Sequence, residues 1–309
     1  MPLPQPPIDA TAGSRKSPPG QARPARSQID LASWREPLVP AQGPCAAADD
    51  EAGAERTRER VIGTPVDVMA RPDSIARVRA WAARRESRFV CFCNVHALVT
   101  ARHDSRVNAA LSQSDLVAPD GAPVAWMLRR LGHGGQQRIN GPDFFWAYCD
   151  AAARTGESIY LLGGSEKTLA QLQLRLTQSF PGLRIAGAYS PPFRPMTDAE
   201  DKAVIDAIHA SGAGTVWVGL GCPKQEIWMH AHKGRVCAVM LGVGAAFDFH
   251  AGTVRMAPAW MRECGLEWLY RLLSEPRRLW KRYLTTNTAF LLLVTRQLLE
   301  RPKARARHE

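Results

Sequence analysis

The sequence predicts an α/β fold, a mainly parallel sheet with helices over both faces. Short runs such as FVCFCNV, SIYLLGG and TVWVGLG are apolar at nearly every position rather than at every second one, as in strands buried on both sides. Between them lie stretches whose apolar residues recur three and four apart, the period of a helix. Several runs also end in Gly-Gly, Gly-x-Gly or Asp-Gly, turns that release a strand into the next helix.

The first 60 residues are rich in Pro, Ala, Arg and Gln, lack periodicity, and read as a disordered extension. Order is predicted to begin at Val61 with a single strand over 61–68. A helix over 73–85 follows, with Ile75, Val78, Trp81 and Ala82 on one side. A strand at 89–95 feeds helices at 96–103 and 105–113, and a strand at 116–119 feeds a helix at 122–131. Next come a helix at 142–154, a strand at 158–164, a helix at 166–179 and a strand at 183–189. The helix at 198–211 opens on Thr197 with Glu200 three residues on, a capping box. A strand at 215–221, a helix at 223–232 and a strand at 236–244 complete a Rossmann-like core spanning 61–254.

Residues 255–309 differ in kind: they hold +7 of the chain's formal net charge of +11, whereas the first 60 residues are neutral overall. A helix begun near Pro276 and advanced by ~100° per residue puts Leu279, Trp280, Tyr283 and Leu284 on one side. Arg277, Arg278, Lys281 and Arg282 fall on the other. Such a helix can lie in a membrane interface, apolar side in the acyl boundary and cations among anionic headgroups. A helix packed on its own domain with arginines in water shows the same pattern. A block of positive charge at one end points to a polyanionic partner, a membrane surface or a nucleic acid. The segment is therefore read as a basic, amphipathic helical appendage. No apolar run approaches the ~18 residues that span a bilayer, and the N-terminus lacks the apolar core of a secretory signal.

The seven cysteines are odd in number, include no CxxC pair and mostly sit in apolar runs. They are expected to be small, free core thiols of a reducing compartment, with no zinc site.

Three strand ends carry chemistry. In Ala118-Pro119-Asp120-Gly121 a buried strand stops at a carboxylate and a helix follows at once. An aspartate there can cap the helix, or it can stand at the floor of a cleft as a general base. Gly163-Gly164 turns a strand into a helix whose first amides form an anion site suited to a diphosphate. In Gly219-Leu220-Gly221-Cys222-Pro223-Lys224-Gln225-Glu226, Gly221 permits a sharp turn and Pro223 presets a helical start. Lys224 and Gln225 then project where a phosphate or sugar would lie. Arg138, before Gly141-Pro142-Asp143, is a candidate clamp for a leaving diphosphate. The chain has no P-loop, no GxGxxG after a strand, no HExxH and no GxSxG, and its ordered part has no Asp-x-Asp to hold a metal on a nucleotide. Metal and other cofactors are accordingly not expected.

These motifs, joined in order by Asn94 with His96, Phe247-Asp248, Ala257-Pro258 with Trp260 and the run from Gly265 to Leu272, resemble the WecG/TagA/CpsF glycosyltransferase family over residues 61–285. The resemblance implies an inverting transfer of a sugar of the N-acetylmannosamine, N-acetylmannosaminuronic acid or glucose class. The donor would be a UDP-sugar and the acceptor a polyprenyl-diphosphate-linked saccharide, in surface or exopolysaccharide synthesis. It also implies peripheral attachment to an anionic membrane surface, on the cytoplasmic face of the bacterial membrane. Carried over by position, Asp120 is the catalytic base and Arg138 a diphosphate contact. Asn94, His96, Gly163, Gly164, Lys224, Gln225 and Asp248 are the substrate-binding set. Arg271, Arg277, Arg278, Trp280, Lys281 and Arg282 belong to an appendage that meets the membrane and the acceptor. Two positions depart from the pattern: Phe92 stands where many members have threonine, and Met256 where arginine commonly precedes Ala-Pro.

The competing class is a non-catalytic nucleotide-binding α/β protein with a basic tail for nucleic acid. The Trp and Tyr interleaved on one face of that tail, and the lack of a recognition-helix motif, weigh against it, so no nucleic-acid partner is expected. An inactive relative is a third reading, resting on Phe92 and Met256. A homo-oligomer is left open.

Overall fold

The first predicted strand folds as a hairpin. In the computed structural model, which describes Cys45 and residues 56–300, β1 (Arg58–Val61) pairs antiparallel with β2 (Thr64–Asp67). Ile62 and Gly63 between them have φ of 42° and 91°. Two left-handed residues in a row are what a tight two-residue hairpin needs, so a single strand cannot continue through them. Apart from Cys45, residues 1–55 of the expected extension lie outside the described residues, as do residues 301–309.

Helix α1 (Arg71–Ala83) leads to β3 (Arg88–Cys93), which is followed by α2 (Val95–His103), α3 (Ser105–Gln113) and β4 (Leu116–Pro119). Then come α4 (Ala122–Arg130), α5 (Gly141–Thr155), β5 (Ser158–Gly163), α6 (Glu166–Ser179) and β6 (Arg184–Tyr189). The core closes with α7 (Asp198–Ser211), β7 (Thr215–Gly219), α8 (Lys224–His232), β8 (Val239–Gly242) and the short α9 (Ala246–Ala251). Strands β3 to β8 form one six-stranded sheet in the order β4-β3-β8-β7-β5-β6, and every pairing in it is parallel. The capping box on Thr197 and Glu200 is present at the start of α7.

Both faces of the sheet are covered, as the unbroken apolar runs require. Successive side chains of a strand point to opposite faces: Phe89, Cys91 and Cys93 of β3 join one core, Val90 and Phe92 the other. The first core takes Leu98 and Leu111 from α2 and α3, Val124 from α4, Ile208 from α7 and Met229 from α8. The second takes Val78 from α1, Phe144 and Tyr148 from α5, Leu172 from α6 and Phe247 from α9. The helix after β8 therefore crosses to the face opposite those after its neighbours β3 and β7. A crevice opens at the carboxyl end of a strand where such connections diverge.

The last predicted strand is shorter than expected. Residues 236–238 stay out of the ladder, and the first two of their amides have partners elsewhere. Val236 N–H donates to His232 O at 3.0 Å, and Cys237 N–H donates to His209 Nε2 at 3.1 Å. The thiol expectation is also corrected at one pair, since Cys237 forms a disulfide with Cys45. Cys91, Cys93 and Cys149 are buried and free, as expected.

Three further helices follow: α10 (Ala259–Glu263), α11 (Glu267–Ser274) and α12 (Pro276–Glu300). Helix α12 runs beside α2 and buries Leu279, Phe290 and Val294. At its far end the Gln297 amide bridges the hairpin, accepting from Ile62 N–H at 2.7 Å and donating to Arg60 O at 2.6 Å. Among the described residues, no helix is long and apolar enough to cross a membrane.

Candidate active site

Asp120 ends β4 at the carboxyl edge of the sheet. Its N–H donates to Cys93 O at 3.0 Å, extending the β3 pairing by one residue, while Pro119 O accepts Ile139 N–H at 2.9 Å. The second bond draws the Arg138 loop to the strand end. The loop then enters α5, where Asn140 caps the helix by accepting Asp143 N–H at 2.8 Å and donating to the Asp143 carboxylate at 2.9 Å. Asp120 is not the N-cap of α4; Gly121 is, without a side-chain cap bond. The carboxylate is thus left over for chemistry.

Its electrostatic surroundings are mixed. Burial raises the Asp120 carboxyl to about 7, with Glu267 and Asp143 adding to the rise and Arg138 and Arg271 opposing it. An unpaired carboxylate of such a site holds its proton until near-neutral pH because little water is there to solvate the charge. Arg138 forms an ion pair with Glu267 at 3.0 Å and lies 4.0 Å from Asp143.

Helix α11 thus reaches the strand end from the C-terminal segment, bringing Glu267 and Arg271. Arg271 lies over the Phe249 ring at 5.5 Å and near Arg282. Arg282 turns inward from α12, over the Tyr283 ring at 5.5 Å, with Nε buried and unpartnered. Across from it stands His96, on the first turn of α2. Burial, with Arg282 second, lowers His96 to about 4, so the imidazole is neutral at pH 7. Asn94 caps α2 by accepting Ala97 N–H at 3.1 Å.

At the carboxyl end of β5, Gly163 sits against Gly219, where a β-carbon would lie 2.6 Å from the Gly219 carbonyl carbon. With φ of 118° it is a position only glycine fills easily. Gly164 O accepts the Ser190 hydroxyl at 2.7 Å, and Ser165 caps α6. Asp248, on α9, accepts from the hydroxyls of Thr168 at 3.3 Å and Thr253 at 3.1 Å.

Gln225 turns into the protein rather than outward from the helix start. It is buried, accepts Gly221 N–H at 3.1 Å, and donates to Gly242 O at 2.8 Å and to Glu226 Oε1 at 3.0 Å. These bonds tie the side chain to the 219–224 turn and to the end of β8, while Lys224 is half-buried on the first turn of α8. Glu226 is equally buried. Its carboxyl is raised to about 7 by desolvation, and its Oε2 has no hydrogen-bond partner.

The cations predicted for the appendage divide. Arg271 and Arg282 turn inward, whereas Arg277 and Lys281 are exposed, and exposed Arg278 pairs with Glu275, the residue between α11 and α12. Trp280 is exposed with Lys281 above its ring at 5.5 Å. Leu279, expected on the same side as Trp280, is buried. A strand-end carboxyl of raised proton affinity thus stands near Arg138 and Arg271, with Arg282 beside Arg271, while the glycine turn opens a helix at the carboxyl end of β5 on the same edge of the sheet. That set can accept a proton and hold an anion.

A family model described as "Glycosyl transferase WecG/TagA/CpsF family" matches residues 59–304. The chain belongs to the WecG/TagA/CpsF glycosyltransferase family. The match runs from the hairpin through the whole of α12, so the glycosyltransferase family includes the C-terminal helices as well as the sheet. Within the family the chain is similar to the N-acetylglucosaminyldiphosphoundecaprenol N-acetyl-beta-D-mannosaminyltransferase of Bacillus spizizenii. The two are 34% identical over 198 residues, covering 64% of this chain and 75% of the relative.

Sequence reading missed Glu267 and Arg262 as site residues. Arg262 donates to Asp143 at 2.9 Å from 119 residues away, and Glu267 reaches Arg138 across 129. Neither spacing leaves a local signature. The signal was compositional: Glu267 and Arg262 stand among the charges of an otherwise apolar stretch, WMRECGLEWLYRLL.

Proposed function

We propose that this glycosyltransferase moves a sugar of the N-acetylmannosamine class from a UDP-sugar to a polyprenyl-diphosphate-linked saccharide, with inversion, in cell-surface polysaccharide synthesis. Asp120 carries the proposal: a carboxyl at the carboxyl end of β4, between Arg138, Arg271 and Glu267, whose proton affinity, near pH 7, suits a general base. In the proposed step Asp120 takes the proton of an acceptor hydroxyl as its oxygen bonds to the anomeric carbon. The bond from that carbon to the UDP phosphate oxygen breaks on the opposite side, and UDP leaves with the electron pair. Inversion follows from the single displacement. Arg138, Arg271 and Arg282 are the candidates to take the diphosphate charge, together with the amides after Gly163. The same groups let the reaction proceed without a resident metal. The similarity to a mannosaminyltransferase acting on a diphosphoundecaprenol acceptor supports the choice of sugar class and acceptor.

Attachment is proposed as peripheral, on the cytoplasmic face of the membrane. Trp280, Leu284 and Leu291 are exposed on one side of α12, within ~40° of one another at the helical period, and Arg277 and Lys281 border them. Apolar side chains flanked by cations suit an anionic lipid surface.

The test is a panel of UDP-sugars on a polyprenyl-diphosphate-linked N-acetylglucosamine acceptor, followed by UDP release, with and without chelator. The expected donor is UDP-N-acetylmannosamine, with activity unchanged by EDTA. Release of UDP from none of the panel would overturn the reading.

A further inference from the structure

Four charged groups form an alternating chain over the strand end that bears Asp120. Arg262 of α10 binds Asp143 of α5 at 2.9 Å, Asp143 lies 4.0 Å from Arg138, and Arg138 binds Glu267 of α11 at 3.0 Å. The outer members come from the C-terminal helices and the inner two from the core. All four are partly shielded from water, with side chains 18–31% exposed. Ion pairs so placed hold geometry better than surface pairs do, since solvent competes less.

We propose that Glu267 is a positioning residue of the transfer reaction: α11 brings its carboxylate to hold the Arg138 guanidinium and to face Asp120, so that base and cation reach their working arrangement only with α11 docked. The inference rests on Asp120 being the base. Glu267 touches no reacting atom and acts through its neighbours. It repels negative charge on Asp120 and takes up the guanidinium charge that would otherwise stabilise that carboxylate. Both effects act in one direction, strengthening Asp120 as a proton acceptor. The groups facing Asp120 are Cys93 on β3, Arg138 on its loop, Asp143 on α5, and Glu267 with Arg271 on α11.

The experiment is the pH profile of kcat for the full chain, with the UDP-sugar that supports turnover and a polyprenyl-diphosphate-linked N-acetylglucosamine acceptor. Glu267→Gln is expected to move the acid limb down by about one pH unit, the scale on which one nearby charge shifts a carboxyl. Glu267→Asp, which keeps the charge but withdraws it by one methylene, should move it part of the way. Should Glu267→Gln fail to fold, Glu267→Asp carries the test alone. Lowered turnover at every pH with an unmoved limb would mean a merely structural contact and would overturn the inference. Asp120→Asn separates the two readings: near-normal turnover there removes the base itself. A dead Asp120→Asn beside an unmoved Glu267→Gln limb removes only the role of Glu267.

Discussion

Gly265 stands so close to Ala122 that a β-carbon on it would lie 2.8 Å from the Ala122 side chain. Ala122 is the first residue of α4, two after Asp120, and Gly265 is the turn between α10 and α11 with φ of 74°. The C-terminal helices therefore reach the strand end through a contact that tolerates no side chain. Gly265→Ala adds both that clash and a left-handed alanine, the latter alone costing about 1 kcal/mol. The expected outcome is a fall in kcat of roughly tenfold or more, from misplacing Glu267 and Arg271, while UDP affinity measured by calorimetry changes little.

Activity should rise with pH through neutrality. As the proposed base, Asp120 must be ionised to accept a proton, and burial raises its carboxyl to about 7. Below that pH the protonated fraction grows, and kcat falls tenfold per unit once titration is well past its midpoint. Asp120→Asn should cost roughly 10²–10⁴ in kcat, the range of a lost general base, and leave UDP binding intact. A wild-type profile flat from pH 5 to 8 would be the contrary result.

The buried Glu226 makes a prediction about stability of the opposite sign to the usual carboxylate. Its folded value of about 7 lies above the ordinary 4.5, so the folded protein holds this proton more tightly than the unfolded chain. Its contribution is therefore full below the unfolded value and is lost as pH rises through about 7. Glu226→Gln keeps an acceptor for the Gln225 amide and cannot ionise. It should match wild type near pH 4.5 and exceed it at pH 8 by something on the order of 2–3 kcal/mol. Urea unfolding at the two pH values checks this.

The parallel sheet was readable because strands buried on both faces have a composition of their own. The ends of α3, β4, α6 and α7 fall where apolar period and caps place them. What periodicity could not supply was which side of a helix meets the core. Leu279 and Trp280 fall in the same apolar half of the helix, yet Leu279 is buried and Trp280 is exposed. Asp120 and Arg138 could be singled out as candidates because one ends a buried strand and the other precedes a Gly-Pro turn. Glu267 and Arg262 were not, since ion pairs over more than a hundred residues depend on how the C-terminal helices dock. The Cys45–Cys237 bond, 192 residues apart, has the same character: spacing does not reveal it.

Arg282 and Arg277 offer a final contrast, five residues apart on one helix. Arg282 is half-buried beside His96 and Arg271, with a guanidinium nitrogen lacking a partner, whereas Arg277 is exposed. If the inward arginine serves the diphosphate and the outward one the lipid surface, their substitutions separate. Arg282→Ala should lower kcat by about 10²-fold, a typical loss for a charge-stabilising donor, with sedimentation on anionic vesicles unchanged. Arg277→Ala should leave turnover of a water-soluble diphosphate acceptor alone and weaken vesicle binding by roughly fivefold, about 1 kcal/mol for one surface cation. Trp280→Ser with Leu284→Ser should weaken it further, because both side chains leave the interface. Equal losses of both properties in Arg277→Ala and Arg282→Ala would contradict the division, and vesicle co-sedimentation run beside a UDP-release assay decides it.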